Sequence, residues 1–260
     1  MAEVLEETQR VRAGTDLWSG IVRAACTLAE LEPALRPMLF ETVLPDWRPE
    51  AIVGAVLSRR LGHTRERVTV VEALIVEALR VDPAVRPALE ADLAAVTLRD
   101  PACRSALDVL LNLRGFHALQ THRVAHSLWR RGRPAVASWL AGCATAAFGV
   151  DIHPAVPFGR GVVLDHGTGV VIGETAVIEG GVLILHGVTL GATGKSRGDR
   201  HPKVRRGAML GAGAQILGNI EIGAMSRVGA GSVVIDPVPD HCTVAGVPAR
   251  VVRERMRAVA

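Results

Sequence analysis

Residues 204–234 read VRRGAMLGAGAQILGNIEIGAMSRVGAGSVV, and their repeat predicts the fold. An aliphatic residue returns at every sixth position from Val204 to Val234, and in several repeats glycine follows it directly. A period of six matches neither the roughly 3.6-residue turn of a helix nor the two-residue alternation of a strand. It indicates a solenoid in which each short strand and turn forms one flat face, so that three faces close a triangular coil of about eighteen residues.

The same period reaches back to about residue 150 in two further registers. Its aliphatic positions are Ile152, Phe158, Leu164 and Val170 in the first series, Ile172, Ile178, Ile184 and Leu190 in the second, and Val204, Leu210, Ile216, Ile222, Val228 and Val234 in the third. We expect these side chains to point inward and to stack on their equivalents one coil away. An ordinary glycine-rich β-sandwich is the alternative, but six consecutive matches in one register disfavour it.

The sequence before the repeats has a different pattern. Glycine is sparse there, and leucines such as Leu28, Leu31, Leu35 and Leu39 recur at helical spacing. We therefore predict an α+β protein with an all-α helical domain at residues 1–147. A parallel β-helix follows at residues 148–252, and a short tail occupies residues 253–260.

Composition excludes several classes of function. The formal net charge of the 260 residues is +4, the excess is spread along the chain, and aromatic residues make up 3 %, so the basic groove with stacking rings that single-stranded nucleic acid needs is not expected. No apolar stretch is long enough to span a membrane. The four cysteines form no CxxC pair and the first residues are acidic, so we expect free thiols, no secretory leader and a cytoplasmic protein.

Two interruptions of the repeat indicate which face of the solenoid carries the functional site. About two extra residues lie between Leu164 and Ile172, in a segment that contains Asp165-His166-Gly167. A longer excess lies between Leu190 and Val204. It must leave the coil as a loop, and it holds Lys195, Arg197, Arg200, His201 and Lys203. Residues that interrupt a solenoid repeat commonly lie on its binding face.

His166 is the candidate general base. A histidine on a solenoid surface is more often a solvated side chain, but this one follows Asp165 and sits at a break in the repeat. Asp151 lies roughly one coil earlier, and we expect its carboxylate to reach the imidazole because residues one coil apart stack. A carboxylate that orients a histidine and stabilises its imidazolium is the arrangement of hydrolase triads.

Longer strings resemble one family. They are Arg99-Asp-Pro-Ala, Gly115-Phe-His-Ala-Leu-Gln, Val150-Asp-Ile-His-Pro, Leu164-Asp-His-Gly-Thr-Gly, Gly173-Glu-Thr-Ala-Val-Ile, Val188-Thr-Leu-Gly-Ala-Thr-Gly-Lys, Gly198-Asp-Arg-His-Pro-Lys and Ala245-Gly-Val-Pro-Ala-Arg. Over roughly residues 75–252 the chain is similar to the serine O-acetyltransferases, which catalyse the first step of cysteine biosynthesis from serine. The resemblance implies a left-handed β-helix and transfer of acetyl from acetyl-CoA to L-serine, with acetyl-CoA as a co-substrate and no permanently bound cofactor.

The resemblance also implies roles for individual residues. His166 would take the proton of the serine hydroxyl, Asp151 would orient it, and the hydroxyl would attack the thioester directly without an acyl-enzyme. Four residues would bind serine: Asp100 and Asp165 through its ammonium group, Arg200 and His201 through its carboxylate. Six positions would line the acetyl-CoA groove: Gly191, Ala192, Thr193, Ala212, Arg227 and Ala230. The backbone N–H groups near Gly191 and Ala192 are candidates for the oxyanion hole.

Simpler interpretations remain for some of these residues. Asp100 precedes Pro101 and is predicted as a helix N-cap. The basic loop is predicted as either a solvated loop or a contact for the phosphates of coenzyme A. Glu174 is either a surface residue or part of the site. His117, His122 and His126 contain a pair at metal-ligand spacing, but with no third ligand nearby we predict no metal.

The family implies a trimer of solenoids with sites between chains, two trimers joined by their helical halves into a hexamer, and feedback inhibition by L-cysteine. The tail at residues 253–260 lacks the terminal isoleucine through which family members bind O-acetylserine sulfhydrylase, so this complex is not expected. Two positions depart from the family pattern, since Ala192 replaces a common glycine and His186 replaces a common glutamine. The rival hypotheses are another hexapeptide acyltransferase with a different acceptor and a solenoid that binds metal or serves as a scaffold.

Overall fold

The computed structural model describes residues 14–195 and 197–254. The acidic N-terminal residues considered above and most of the predicted tail, residues 255–260, lie outside these ranges. The helices of the described N-terminal half are α1 (Gly14–Leu31), α2 (Arg36–Thr42), α3 (Pro49–Leu61), α4 (Arg65–Val81), α5 (Val85–Arg99), α6 (Ala106–Asn112), α7 (Arg114–Arg130) and α8 (Pro134–Phe148). None of these described helices is long and apolar enough to cross a bilayer.

Short strands follow from residue 151 to residue 254. They are β1 (Asp151–Ile152), β2 (Val163–Asp165), β3 (Val171–Ile172), β4 (Val177–Ile178), β5 (Leu183–Leu185), β6 (Thr189–Gly191), β7 (Lys203–Val204), β8 (Met209–Leu210), β9 (Gln215–Leu217), β10 (Glu221–Ile222), β11 (Arg227–Val228), β12 (Val233–Val234), β13 (Cys242–Gly246) and β14 (Ala249–Glu254). From β2 to β12, successive strands enter three different sheets in turn, as a triangular coil requires.

The three sheets form the faces of a prism. Face A has the order β1-β3-β6-β9-β12, face B the order β4-β7-β10, and face C the order β2-β5-β8-β11-β13-β14. The strand pairs are parallel except for the closing pair β13 and β14, which is antiparallel. The predicted α+β class, a helical half followed by a parallel β-helix, is confirmed.

The strand register gives the number of extra residues at each interruption of the repeat. Gln215 pairs with Val233, which is eighteen positions on and marks an undisturbed coil. Asp151 pairs with Val171, twenty positions on, so this coil holds two extra residues. Thr189 pairs with Gln215, 26 positions on, so the loop before β7 holds eight. Both predicted breaks are therefore confirmed, and their residues leave the coil without disturbing the strands on either side.

The inward positions of the repeat form the core of the prism. Along face A the buried stack runs through Ile152, Ile172, Leu190, Ile216 and Val234, each at most 4 % exposed. Burying an aliphatic side chain of this size contributes about 1.5–3 kcal/mol. The repeat therefore stabilises itself by stacking like residues on like residues, with little need for aromatic side chains.

A buried ion pair joins the helical half to the first coil. Asp92 on α5 is fully buried and accepts from Arg123 at 2.6 and 2.9 Å and from Gln120 at 2.9 Å. Its Oδ1 also accepts the backbone N–H of Val162 at 3.0 Å, on the solenoid. Arg123 in turn donates to the carbonyl of Gly159 at 2.7 Å. These bonds hold α5 and α7 against the first coil, where the site lies.

Helix boundaries differ from the predictions in two places. Asp100 is not a helix N-cap: α5 ends before it, and its Oδ1 accepts the N–H of Ala102 at 2.8 Å in the following turn. Ser105 caps the next helix instead, by accepting the N–H of Asp108 at 3.1 Å. Pro101 thus marks the end of one helix, since the residue before a proline avoids helical geometry. In the leucine series Leu39 is buried, but Leu31 is 72 % exposed because it is the last residue of α1.

Candidate active site

His166 and Gly167 are the two residues that the first break inserts. The strand β2 follows β5 in register up to Asp165, and the regular corner resumes at Thr168, whose carbonyl accepts the N–H of Gly187. Both inserted residues have positive φ, 58° for His166 and 78° for Gly167. A non-glycine residue in this conformation is uncommon, and such residues cluster at functional sites. The imidazole side chain is 76 % exposed at the corner between faces C and A.

A cavity of about 500 Å³ opens beside this corner. It lies between the end of α5, the junction of α6 and α7, and strand β2, and it brings Asp100, Asp165 and His166 together. Asp165 Oδ1 lies 3.8 Å from His166 Nε2, and 39 % of the aspartate side chain is exposed. Arg99 and Arg114 also line the cavity, which therefore offers two carboxylates and two guanidinium groups around the imidazole.

The first turn of α7 positions the inserted histidine. Gly115 packs so closely on β2 that a Cβ there would fall 1.9 Å from the carbonyl oxygen of Leu164. On the other side, a Cβ at Gly167 would lie 3.1 Å from Gly115 Cα. Glycine is required at residue 115 because backbone meets backbone at this point. The helical half thus forms one wall of the cavity and supports the inserted loop from behind.

The neighbour of His166 is His186, one coil further on. Their ring centroids lie 5.8 Å apart at 74°. Asp151 instead pairs with Val171 at the start of face A, and no hydrogen bond joins it to His166 in the part of the chain that the structure describes. The stacking argument for this pair is wrong, because fifteen positions separate the two residues whereas one coil takes eighteen to twenty. The orienting role of Asp151 stays a prediction.

Arg200 and His201 form a second cluster at the corner between faces A and B. Arg200 donates to Glu174 at 2.8 Å, and this bond lowers the pKa of that carboxyl. His201 is 6 % exposed, and Thr175 binds its Nδ1. Burial lowers the pKa of His201, and the charges of Arg200 and Lys203 lower it further. Glu174, left open by the sequence, is therefore an ion-pair partner, and Thr175 is a residue that the sequence interpretation missed.

The two clusters do not meet within one chain. His166 follows a strand of face C, whereas Arg200 and His201 precede β7 on face B. Neither Arg200 nor His201 lines the cavity that holds His166, Asp165 and Asp100. Within one chain the cavity therefore brings together the residues of the first cluster alone.

The six residues predicted for the acetyl-CoA groove lie in three places on the solenoid. Ala212 and Ala230 continue the corner of His186, since Gly213 N donates to His186 O and Gly231 N to Ala212 O. Arg227 starts β11 on face C. Gly191 ends β6 on face A, and Ala192 and Thr193 begin the long loop. Ala192 is not among the residues with positive φ, so its Cβ costs no backbone strain there.

The three histidines of α7 have structural roles. Their rings bind backbone carbonyls: His117 that of Leu110 at 2.7 Å, His122 that of Val156 at 2.9 Å, and His126 that of Pro154 at 2.8 Å. Within residues 14–195 and 197–254, no group of three or more metal-ligating side chains is positioned to hold an ion. In the basic loop, Lys203 binds Asp199 and the carbonyls of Thr175 and His201, which anchors the end of the loop to the coil.

Stacked hexapeptide coils with an exposed histidine at one corner define the class of hexapeptide-repeat acyltransferases. A family profile described as "Serine acetyltransferase, N-terminal" matches residues 17–121. The serine acetyltransferase of Escherichia coli K12 is 48 % identical over 236 residues, which cover 91 % of this chain and 86 % of that protein. The chain belongs to the serine acetyltransferase family, and it is an acyltransferase.

Solved structures agree with this assignment. Serine acetyltransferase from Brucella abortus, in complex with coenzyme A, has a TM-score of 0.89 and 46 % identity, covering 92 % of this chain and 96 % of that chain. A serine acetyltransferase in complex with cysteine has a TM-score of 0.88 and 46 % identity, covering 92 % and 99 %. The fold class of the chain is that of this family, a helical half followed in the chain by a left-handed parallel β-helix.

Proposed function

We propose that the chain transfers the acetyl group of acetyl-CoA to the hydroxyl of L-serine, giving O-acetyl-L-serine and CoA, the first step of cysteine biosynthesis from serine. One observation carries the mechanism: the exposed imidazole of His166 lies on a two-residue insertion at the edge of the 500 Å³ cavity, beside Asp165 and Asp100. A proton acceptor and two carboxylates on one side of a cavity suit an amino acid that brings both a hydroxyl and an ammonium group.

In this mechanism His166 takes the hydroxyl proton while the serine oxygen attacks the thioester carbon. The resulting tetrahedral oxyanion is held by backbone N–H groups near Gly191 and Ala192. The carbon–sulfur bond then breaks, the acetyl group stays on the serine oxygen, and the imidazolium of His166 returns its proton to the departing thiolate. No acyl-enzyme forms. Asp151 has the orienting role. Among the described residues of one chain, no hydrogen bond joins it to His166.

Substrate recognition divides between the two corners. Asp100 and Asp165 bind the ammonium group of serine, and both line the cavity. Arg200 and His201 bind its carboxylate from the other corner, where a guanidinium and an imidazole N–H suit a planar anion. Acetyl-CoA enters as a co-substrate along the corner that runs from His186 through Ala212 to Ala230. Gly191, Ala192 and Thr193 reach this groove from the Arg200 corner of the neighbouring chain, and Arg227 lines it from face C.

This division requires more than one copy of the chain. We propose that the solenoid at residues 148–252 forms a trimer, in which the His166 corner of one chain faces the Arg200 corner of its neighbour. The helical domain at residues 1–147 then joins two trimers into a hexamer. The separation of the two clusters within one chain supports the shared site.

Regulation and location complete the proposal. L-cysteine inhibits by occupying the serine site, which the cysteine complex of a relative supports. We place the reaction in the cytoplasm, because the four cysteines are free thiols.

The test is to incubate the purified protein with acetyl-CoA and L-serine and to follow the release of free thiol. We expect release that depends on serine and that falls when L-cysteine is added. Release with homoserine or an amino sugar but not with serine would replace the substrate assignment by that of another hexapeptide acyltransferase. Absence of release with every acceptor, together with failure to bind acetyl-CoA, would favour a scaffold.

A further inference from the structure

Thr175 joins the long loop to the coil at the corner between faces A and B. Its hydroxyl oxygen accepts the backbone N–H of Arg200 at 3.0 Å and that of His201 at 3.1 Å. These two N–H groups occupy both lone pairs of the oxygen. One side chain therefore holds the backbone of both residues that are proposed to bind the serine carboxylate.

The proton of the same hydroxyl determines the tautomer of His201. Because its lone pairs are occupied, the Thr175 hydroxyl donates to His201 Nδ1, 2.8 Å away. The backbone N–H of Thr175 donates to the same nitrogen at 3.2 Å. A ring nitrogen that accepts two donors carries no proton, so the neutral imidazole carries its proton on Nε2.

His201 is kept in this neutral form and in one orientation. Burial and the neighbouring charges of Arg200 and Lys203 lower its pKa, so it stays uncharged at neutral pH. Its ring lies over Gly173, where a Cβ would fall 2.0 Å from Nε2. Among residues 14–195 and 197–254 no hydrogen-bond partner is found for Nε2, so its N–H is the one donor of the ring that these bonds leave unused.

We propose that Thr175 is a positioning residue for the acceptor substrate: it holds Arg200 and His201 side by side and directs the Nε2–H of His201 toward the carboxylate of serine. The inference rests on the proposed function, in which these two residues bind that carboxylate. Thr175 touches neither serine nor acetyl-CoA in this scheme and acts through its two neighbours. Gly173 has a related role, since the absence of a side chain there leaves room for the imidazole.

The test compares Thr175→Val, which keeps the shape but removes the hydroxyl, with Thr175→Ser, which keeps the hydroxyl. We expect Thr175→Val to raise the KM for serine by about tenfold or more, the effect of losing a bond near a charged ligand, with kcat reduced less than about threefold. Thr175→Ser should stay within about threefold of the parent chain in both constants. The KM for acetyl-CoA should not change in either variant.

Two further variants complete the test, one as a matched control and one as an independent change at the same imidazole. Thr243→Val on β13 is the matched control, because no side-chain hydrogen bond of Thr243 occurs within the described ranges. Gly173→Ala leaves Thr175 intact but displaces the imidazole, and it should raise the KM for serine in the same selective way. It also tests the arrangement if Thr175→Val fails to fold.

An unchanged KM for serine in Thr175→Val would overturn the inference. So would an equal rise in both KM values, since it would show that Thr175 merely stabilises the loop. Failure of the parent chain to acetylate serine is a different outcome, because it would refute the proposed function itself.

Discussion

His166 and His186 lie on successive coils at one corner of the prism, with their ring centroids 5.8 Å apart and their planes at 74°. The first belongs to the two-residue insertion, and the second to the regular corner that continues to Ala212. The proposed base therefore lies at the start of a row of corner residues, one from each successive coil, that continues through His186 to Ala212.

Replacing the proposed base should abolish most of the turnover. We expect His166→Ala to lower kcat about 10²- to 10⁴-fold, which is the usual contribution of a general base. His186→Ala is the matched control, since it removes an exposed imidazole from the same corner, and it should cost less than about tenfold. Thiol release measures both variants, and size-exclusion chromatography checks that the assembly is intact. Retained activity in His166→Ala would refute the role of base.

Two inactive chains should restore activity when they are mixed. His166→Ala damages one corner and Arg200→Ala the other, so an assembly that contains both chains still has some sites with two intact corners. We expect each variant to be inactive alone and the co-refolded mixture to recover a measurable fraction of the parent activity. Mixing His166→Ala with Asp165→Ala is the control, because both changes lie at the same corner. Recovery in that control, or none in the first mixture, would contradict a site shared between chains.

Gly115→Ala should disturb the site through the helical half. A Cβ there would meet the Leu164 carbonyl oxygen at 1.9 Å, so the first turn of α7 must move away from β2 and from the inserted His166. We expect a loss of activity and a lower unfolding midpoint. Gly142→Ala on α8 is the control: a Cβ there has open space within 4 Å, and the change should stabilise the helix by up to about 1 kcal/mol. Equal effects of the two changes would show that the close contact has no influence.

Acid should destabilise the protein through its buried histidines. Burial lowers the pKa of His117 to about 4 and that of His122 to about 3, both from an ordinary 6.5. Between these values the unfolded chain binds protons that the folded chain does not, so stability is fully present above pH 6.5 and falls as the pH drops. The free energy of unfolding should decrease by up to about 1.4 kcal/mol per pH unit for each histidine.

Urea denaturation at pH 7, 6 and 5, at one fixed protein concentration, measures this slope. His122→Phe removes one titrating group, so its stability should change less steeply with pH than that of the parent chain. The comparison uses slopes only, because the variant also loses the hydrogen bond to Val156. An identical slope in parent and variant would show that His122 does not contribute.

Breaking the buried ion pair should cost far more than breaking an exposed one. Asp92→Asn leaves the guanidinium of Arg123 buried without a counter-charge, which typically costs about 3–5 kcal/mol. The exposed pair of Arg250 and Asp236, 3.4 Å apart, provides the control, and Asp236→Asn should cost less than about 1 kcal/mol. Denaturant midpoints report both variants. A small effect of Asp92→Asn would mean that this ion pair is not needed to hold the two halves together.

The repeat pattern alone was enough to predict the solenoid and the places where it is interrupted. Each inward residue stacks on its equivalent one coil away, so a period of six in the chain is also a period in space, and the register needs no long-range information. For the same reason the excess residues before Val171 and before Lys203 were countable, and the candidates His166, Arg200 and His201 were found within them. The residue pattern of the helical half likewise predicted helices, although not the exposed end of α1 at Leu31.

The arrangement of these residues around the site depends on tertiary contacts. Asp100 reaches the cavity because α5 and α7 dock on the first coil through Asp92 and Gly115, contacts that join residues far apart in sequence. The same packing separates the His166 corner from the Arg200 corner, and the register places His186, not Asp151, beside the proposed base. Periodicity reports which side chains face inward, whereas the positions of corners, loops and docked helices depend on contacts that no local pattern encodes.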